Sequence, residues 1–404
     1  MISYSDALQM ITATVKPLPV VELPLMDALG HVLAQKIHAR WDLPLLDNSA
    51  MDGFAFAFAG QGAGSELAVA GLQRAGGTAI AAVTAGECVK IMTGAPLPVG
   101  CDTVVPVEDI AETAGGIRLK EPASQGAHVR RRGEEFRQDE HLLSPGCRLR
   151  AGEIGMLAAA GIERVRVHRK PVVALLSTGD ELVELGTRPG PGQIVNSNRY
   201  LLAARLREEG VTVEALGVAS DAEGALEPLL RRGLQADLLI TTGGISAGDY
   251  DLVRKTLLGL GLDLAFWKVA IKPGKPVLFG TLGGVPVFGL PGNPAAAAAT
   301  FQLFVRPALQ RLAGHADPWP VLLKAVLAAK VKGGSSRQTF LWGRLSRQGQ
   351  EYVFTPSRAQ GSGQNRGMAG TQALLPVASA SPDLAAGSTV EVMLIYLPDG
   401  GTPT

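Results

Sequence analysis

The stretch TTGGISAGDYD, Thr241 to Asp251, comes directly after the apolar run Asp237-Leu238-Leu239-Ile240. A short apolar run that ends in Thr, paired Gly and Ser reads as a buried strand delivered into a turn. The two glycines let an anion approach bare backbone amides, and the hydroxyls add donors at the start of the next helix. Taken alone, TTGG reads equally as a tight strand-to-helix turn. The surrounding pattern decides the fold. Val172–Leu176 reads as a strand, NSNRYLLAARLREEG as a capped helix ending in Gly, and VTVEALGVA as the next strand. A helix over 223–234, a strand over 237–241 and a helix over 250–260 come next. This alternation predicts an α/β unit over 171–315, a parallel sheet covered on both faces. Within it, 277–281 and 285–289 form a hairpin about Gly283-Gly284, and a helix starts at Pro294.

The 404 residues exceed one core and predict several domains. Residues 1–44 read as helical, with Ala7, Leu8 and Ile11 at helical spacing and LMDALGHVLA repeating the pattern. Together with 138–170, whose centre AGEIGMLAAAGIE is helical, they predict a discontinuous N-terminal domain. An inserted β domain covers 45–137, where short alternating runs are punctuated by Gly and Pro. A C-terminal β-barrel-like domain covers 316–404, carried by VLLKAVLAAKV, TFLWGRL, EYVFTPS and STVEVMLIY.

Composition excludes several function classes. Hydrophobic residues make up 46% and charged residues 19%, with a formal net charge of +1. The chain is globular, and it lacks the basic excess of a nucleic-acid binder. Arg130-Arg131-Arg132 is followed by Glu134 and Glu135 and reads as a solvated charged strand end. Three widely spaced cysteines without CxxC fit a reducing cytoplasm rather than a disulfide scaffold or a cysteine zinc site. No secretory signal is visible at Met1. Residues 276–305 carry no charge and match a membrane span in length, but Pro286, Pro291, Pro294 and several Gly break any single helix there.

Ligands of open parallel sheets bind beyond the carboxyl ends of the strands. The loops at those ends are Ser177-Thr178-Gly179-Asp180-Glu181, Ser220-Asp221, Thr242-Gly243-Gly244-Ile245-Ser246, Lys272-Pro273-Gly274-Lys275 and Pro291-Gly292-Asn293-Pro294. Together they describe one crevice. GxGxxG and the Walker A pattern are both absent, which disfavours a nicotinamide enzyme or an ordinary P-loop nucleotidase. Asp180, Glu181, Asp221, Asp249 and Asp251 would crowd one rim, and oxygen donors without His or Cys point to magnesium. Glu181 and Asp249 read equally as helix-start carboxylates favoured by the dipole. Lys272 and Lys275 flank a Pro-Gly turn suited to an oxyanion or a phosphate. Asn293 reads as an N-cap with Pro294 at the first helical position, which leaves free amides at the helix start.

Outside the α/β unit, DNSAMDGFA (47–55) and IMTGAPLP (91–98) place polar groups against apolar ones. With VVPVED (104–109), VRRRGEE (129–135), STGDEL (177–182), NSN (196–198), TTGGISAGDYD, KPGKP (272–276) and GLPGNP (289–294), the chain resembles the molybdopterin molybdenumtransferase family, related to the C-terminal half of gephyrin. The resemblance implies a homodimer that inserts molybdate into adenylylated molybdopterin and releases AMP in a magnesium-dependent step. It also implies transient contact with the adenylyltransferase and with molybdoenzyme chaperones. Asp52 and Thr93 would enter the crevice from the partner subunit, with Glu181, Asp221 and Asp251 as catalytic carboxylates and Asp221 and Asp251 on magnesium. Ser177, Thr178, Gly179, Asp180, Thr242, Gly243, Gly244, Ser246, Lys272, Lys275, Pro291, Gly292, Asn293 and Pro294 would bind the substrates. Molybdopterin adenylylation and a non-catalytic peptide-binding scaffold are the alternatives. Glu135 and Ala296 stand where many members have Asp and Ser. QGSGQNRGMAG matches only loosely, so Arg344, Ser362 and Arg366 stay outside the predicted site.

Overall fold

The computed structural model describes residues 1–77, 82–222, 224–245 and 252–398. Its centre is a six-stranded sheet in the order Thr212–Ala219, Val172–Thr178, Leu238–Thr242, Val285–Leu290, Pro276–Leu282, Asp263–Lys268. The first four strands run parallel, and only Pro276–Leu282 runs against the rest. The order reverses at Val172–Thr178: one crossover leads to its neighbour on one side and the next returns to the other. That reversal opens a crevice at the carboxyl edge.

Alternation along each strand explains why the sheet is buried on both sides. Val173, Leu175, Leu238, Ile240, Val277, Phe279, Phe288 and Leu290 belong to one core. Ala174, Leu176, Leu239, Leu278 and Val287 belong to the other. Successive side chains of a strand point to opposite faces, so runs such as VVALL must be apolar throughout. Helices Leu226–Gly233 and Leu252–Gly259 cover the second face through Leu226, Leu230, Val253 and Leu257. The helix Ser197–Glu208 covers the first, with Asn196 as its N-cap accepting the Arg199 amide at 3.2 Å. Gly283 and Gly284 both have positive φ and turn the predicted hairpin tightly.

The N-terminal region departs from the expected helices. Tyr4–Thr14 is helical, but LMDALGHVLA forms a single 3-10 turn at Leu25–Ala28 and then the strand Val32–Leu33. Gly30, at φ 79°, ends the turn, and Val32 and Leu33 pair with His168 and Val167. Burial of both residues in a sheet overrides the helical spacing. The first helix does not pack with 138–170 either. Ala7, Ile11 and Val15 join the core of the α/β unit beside Phe301 and Phe304. Residues 20–39 do pack with 136–167, around Leu33, Leu149, Leu157 and Val165. Strands Val20–Pro24, Arg164–His168 and Val32–Leu33 form their sheet.

Between these segments lies a six-stranded sheet built from Gly53–Phe56, Glu66–Gln73, Glu87–Ile91, Thr103–Pro106, Ile110–Thr113 and Gly116–Leu119. Arg131 and Arg132 of the basic run are tied to Asp47 and Asp42, so the run serves structure. In the C-terminal region Gln338–Gln348, Glu351–Pro356, Leu322–Leu327, Thr389–Leu394 and Ala373–Val377 pair one with the next. Ala373–Val377 pairs back onto Gln338–Gln348, closing a five-stranded barrel. Ala373–Val377 contains Pro376, and the sequence pattern does not announce it as a strand. Ile271–Lys272 pairs with Gln338-Thr339, so the barrel is docked onto the sheet-edge loops. Among the described residues, no helix is long and apolar enough to cross a membrane.

Phe288 is fully buried between Phe279 and the first-face core. Phe288→Ala should lower stability by about 3–5 kcal/mol through lost transfer energy and a residual cavity. A chemical denaturation midpoint within error of the parent would contradict this packing.

Candidate functional site

At the carboxyl edge the loops meet as expected. Gly243 and Gly244 extend the strand Leu238–Thr242 at φ 91° and 63°. A Cβ on Gly243 would lie 2.6 Å from the Thr178 carbonyl, and one on Gly244 would lie 2.6 Å from Val253 Cγ2. Both positions thus require glycine for conformation and for space. A Cβ on Gly292 would stand 3.7 Å from Gly243 Cα, so the backbones of the TTGG and PGNP turns touch. Asn198 joins them: its Nδ2 donates to Thr242 Oγ1 at 3.1 Å and to the Gly292 carbonyl at 2.7 Å. Thr242 Oγ1 also donates to the Pro291 carbonyl at 3.3 Å.

These turns floor a cavity of about 400 Å³ lined by Thr178, Glu181, Asn196, Asn198, Thr242, Gly243, Gly292, Asn293 and Pro294. Its size falls within the roughly 300–1,000 Å³ of small-molecule sites. Three buried side-chain atoms along it have no hydrogen-bond partner: Thr178 Oγ1, Asn196 Nδ2 and Asn198 Oδ1. Buried polar groups are nearly always paired, because an unpaired one costs about 1–3 kcal/mol. All three belong to residues of the cavity wall, and the atoms themselves lie within that wall with almost no accessible surface. Ser177 is spent inside the wall, donating to Asn196 Oδ1 at 3.3 Å.

The other predicted residues sort by position. Asp180 Oδ1 accepts the Asp221 amide at 3.0 Å, so these two acids share the rim just outside the cavity. Glu181 lines the cavity and folds back over Gly179, where a Cβ would lie 2.4 Å from its Oε2. Lys272 and Lys275 flank Gly274, whose Cβ would meet Thr300 and approach the Ala296 carbonyl. Their turn therefore packs on the helix Pro294–Thr300 that PGNP begins. Ser246, Asp249 and Asp251 lie outside the described residues. Among the described residues no group of three acidic, His or Cys side chains converges on a metal position. Asp180 and Asp221 offer oxygen donors of the kind magnesium takes, and one Asp180 oxygen is already engaged.

Two expectations at this edge need correction. Asn293 stands at the N-cap position, with Pro294 first in the helix, but its side chain does not cap. Asn293 Nδ2 donates instead to Ser362 Oγ at 3.0 Å, and the Ala295 amide donates to the Ser362 carbonyl at 2.9 Å. That amide is not free for an anion. Ser362, outside the site expected from sequence, sits directly on the PGNP turn. Gly363 and Asn365 line the cavity, and Asn365 Nδ2 reaches Ser197 Oγ at 3.2 Å. The signal is present in the Gly, Ser and Asn of QGSGQNRG, but nothing in the sequence says which strand edge that loop faces.

Asp52 and Thr93 are brought together, although neither lines this chain's cavity. Asp52 Oδ1 accepts the Thr93 amide at 2.7 Å and its hydroxyl at 2.8 Å, on an exposed surface of the inserted sheet. The amide bond first and the hydroxyl bond second hold the Asp52 carboxyl below the usual carboxylate range.

Fold and edge geometry define the class: a multidomain α/β protein with a polar small-molecule site at its topological switch point. Three family models match in order: MoeA N-terminal region (domain I and II) over 2–161, probable molybdopterin binding domain over 174–311, and MoeA C-terminal region (domain IV) over 324–395. The molybdopterin molybdenumtransferase of Nostoc sp. is 34% identical over 93% of this chain and 88% of its own length. Molybdopterin molybdenumtransferase 2 of Mycobacterium tuberculosis is 34% identical over 92% of this chain and 94% of its own. A crystal structure of the molybdopterin biosynthesis MoeA protein from Pyrococcus horikoshii superposes with a TM-score of 0.84 at 28% identity, covering 98% of this chain and 100% of that one. The chain belongs to the molybdopterin molybdenumtransferase, or MoeA, family.

Asn198→Ala removes the two side-chain bonds by which Asn198 ties the turns together, and should destabilise the protein by about 1–3 kcal/mol in denaturant unfolding. An unchanged midpoint would show that the clasp is dispensable. At the other feature, Thr93→Val deletes the hydroxyl bond and keeps the amide bond. The Asp52 carboxyl should then titrate part of the way back towards its ordinary value, read by NMR of labelled aspartate. Because the folded carboxyl lies below the unfolded one, the clamp stabilises above the ordinary carboxylate range and is lost as pH falls through the folded value. An unmoved titration in Thr93→Val would remove the hydroxyl from this account.

Proposed function

We propose that this protein inserts molybdenum, taken up as molybdate, into adenylylated molybdopterin and releases AMP. The observation that carries the reading is the meeting of the Gly243 and Gly292 turns beneath a cavity lined by Thr178, Glu181, Asn196 and Asn198, in a chain of this family. Glycines at the floor let a pterin and its pyrophosphate lie close to backbone amides. Thr178, Asn196 and Asn198 bring hydroxyl and amide groups to the cavity wall. Their positions are held by the strand end and the capped helix rather than by flexible loops. Molybdate is a doubly charged oxyanion, and Lys272 and Lys275 on the turn beside the PGNP helix supply compact positive charge for it.

Magnesium belongs to this proposal, with Asp221 and Asp251 as its side-chain ligands. The ion would neutralise pyrophosphate charge as AMP leaves. Asp180 orients Asp221 through its amide, and Glu181 within the cavity is placed to handle a proton or an ordered water there. The proposal extends to a homodimer in which Asp52 and Thr93 of one subunit reach the other's crevice. It also includes transient contacts with the adenylyltransferase and with molybdoenzyme chaperones. Three free cysteines accord with a cytoplasmic setting.

The full-length protein, incubated with adenylylated molybdopterin, molybdate and magnesium, should release AMP; release no greater than in a protein-free blank ends this reading. Asp221 is exposed, so Asp221→Ala should abolish turnover while shifting stability by less than about 0.5 kcal/mol. Chelation of magnesium should stop AMP release and re-addition restore it. Full turnover in the chelated enzyme would remove magnesium from the proposal.

A further inference from the structure

A second cleft lies at the opposite edge of the central sheet. Lys170 and Pro171 lead into the strand Val172–Thr178, and Gly210 and Val211 lead into Thr212–Ala219, so their cleft faces the amino ends of these strands. Its other wall comes from the N-terminal region, through His31 and Arg148, which the Val32–Arg148 bridge holds side by side. Helix Arg306–Leu312 and the nearby His315 close it. The enclosed space is about 100 Å³, room for a single small ion and too little for a nucleotide.

The lining charges do not balance. Arg148, Lys170 and Arg306 face one acid, Glu209, and Glu209 is taken by Arg306 Nε at 2.6 Å. Arg169 beside them is matched to Asp237. Among the described residues, the side chains of Arg148 and Lys170 have no ion-pair partner. Three imidazoles complete the wall, those of His31, His168 and His315, and His168 Nδ1 already donates to the Leu18 carbonyl at 2.8 Å. His31 Nδ1 is buried and makes no hydrogen bond of full geometry, although the Leu29 and Ala28 backbone lies close enough to the imidazole to favour its charged form. Burial first, and Lys170 second, hold His31 below its ordinary range; burial and then Arg148 do the same for His315, with Glu209 opposing and Arg306 and Arg150 adding. Arg148 and Lys170 bring two unmatched cations to a space of this size; a multivalent anion would offset their charge, and the imidazoles would add hydrogen-bond donors to it.

We propose that this cleft, at the junction of the N-terminal region and the α/β unit, binds a small tetrahedral oxyanion of the phosphate, sulfate or molybdate kind. Guanidinium, ammonium and imidazole donors approach the space from three separate chain segments, which suits four oxygens pointing in different directions. The ion would bridge Arg148 on one unit and Lys170 with His315 on the other. The site is distinct from the crevice at the carboxyl edge and does not depend on the reaction assigned there.

The test uses the full-length protein, titrated calorimetrically with sodium sulfate, phosphate and molybdate in turn, with sodium chloride at matched ionic strength as the blank. Parallel titrations use Arg148→Gln, Lys170→Gln and, as a control remote from both clefts, Lys324→Gln on an exposed position of the barrel. At least one oxyanion should bind above the chloride blank, with affinity at least tenfold weaker in Arg148→Gln and in Lys170→Gln and unchanged in Lys324→Gln. Lys170 is exposed, so Lys170→Gln should fold normally, which circular dichroism checks. Binding of all three ions would identify a general oxyanion site, and binding of molybdate alone a substrate store; both support the proposal. No heat above chloride overturns it, as does binding that survives in Arg148→Gln and Lys170→Gln.

Discussion

The Asn198 side chain holds the carboxyl edge together. One amide nitrogen bonds the end of the strand Leu238–Thr242 and the turn after Val285–Leu290, two loops far apart in sequence. The turns also touch directly, through the Gly243 amide to the Leu290 carbonyl at 3.2 Å and Thr242 Oγ1 to the Pro291 carbonyl at 3.3 Å, and Asn198 ties them a third way. Asn198 can do so because Asn196, two residues earlier, caps the helix and sets its first turn. The NSN motif is therefore a positioning device. The bonds it makes are on the amide nitrogen, and its oxygen is buried without a partner.

Much of this was legible in the sequence, for identifiable reasons. A sheet buried on both faces needs continuous apolar strands, and polar groups then concentrate at the strand ends. The residues just past those ends include Thr178, Glu181, Thr242, Gly243 and the PGNP turn, and these do converge. Paired glycines at 283–284 and 243–244 announced turns that only positive φ permits. The misreadings arose where two periods compete. LMDALGHVLA has helical spacing, but its last apolar pair, Val32 and Leu33, is buried by pairing with the distant strand Arg164–His168, which no local pattern reveals. Asn293 likewise reads as a cap by position, yet a partner from the barrel draws its side chain away.

Polar accounting separates what Asp52 and Asn198 are doing. The Asp52 carboxylate is satisfied within its own domain by two donors from Thr93, on the surface, so its local role is complete without any ligand. Thr178, Asn196 and Asn198 are buried and incomplete. Local geometry alone would rank the second group as the binding site and the first as a turn clamp. A functional role for Asp52 must come from something brought against that surface, and the exposed Leu45, Leu46 and Val107 show that the surface around it is not wholly polar.

The barrel also alters how the oxyanion end of the crevice is built. A helix start offers unpaired amides, but here the Ala295 amide is taken by the Ser362 carbonyl, which lessens what the PGNP turn can offer an anion. Ala296, two residues past the turn, contributes no hydroxyl. Both losses fall at one turn, and the same barrel loop offsets them, because Ser362 Oγ accepts from Asn293 and keeps its own proton to donate. Lys272 is tied to the same domain by the pairing of Ile271–Lys272 with Gln338-Thr339. The hydroxyl and the ammonium beside this turn are thus both registered by the barrel, so the geometry at this end of the crevice depends on how that domain is seated as much as on the sheet itself.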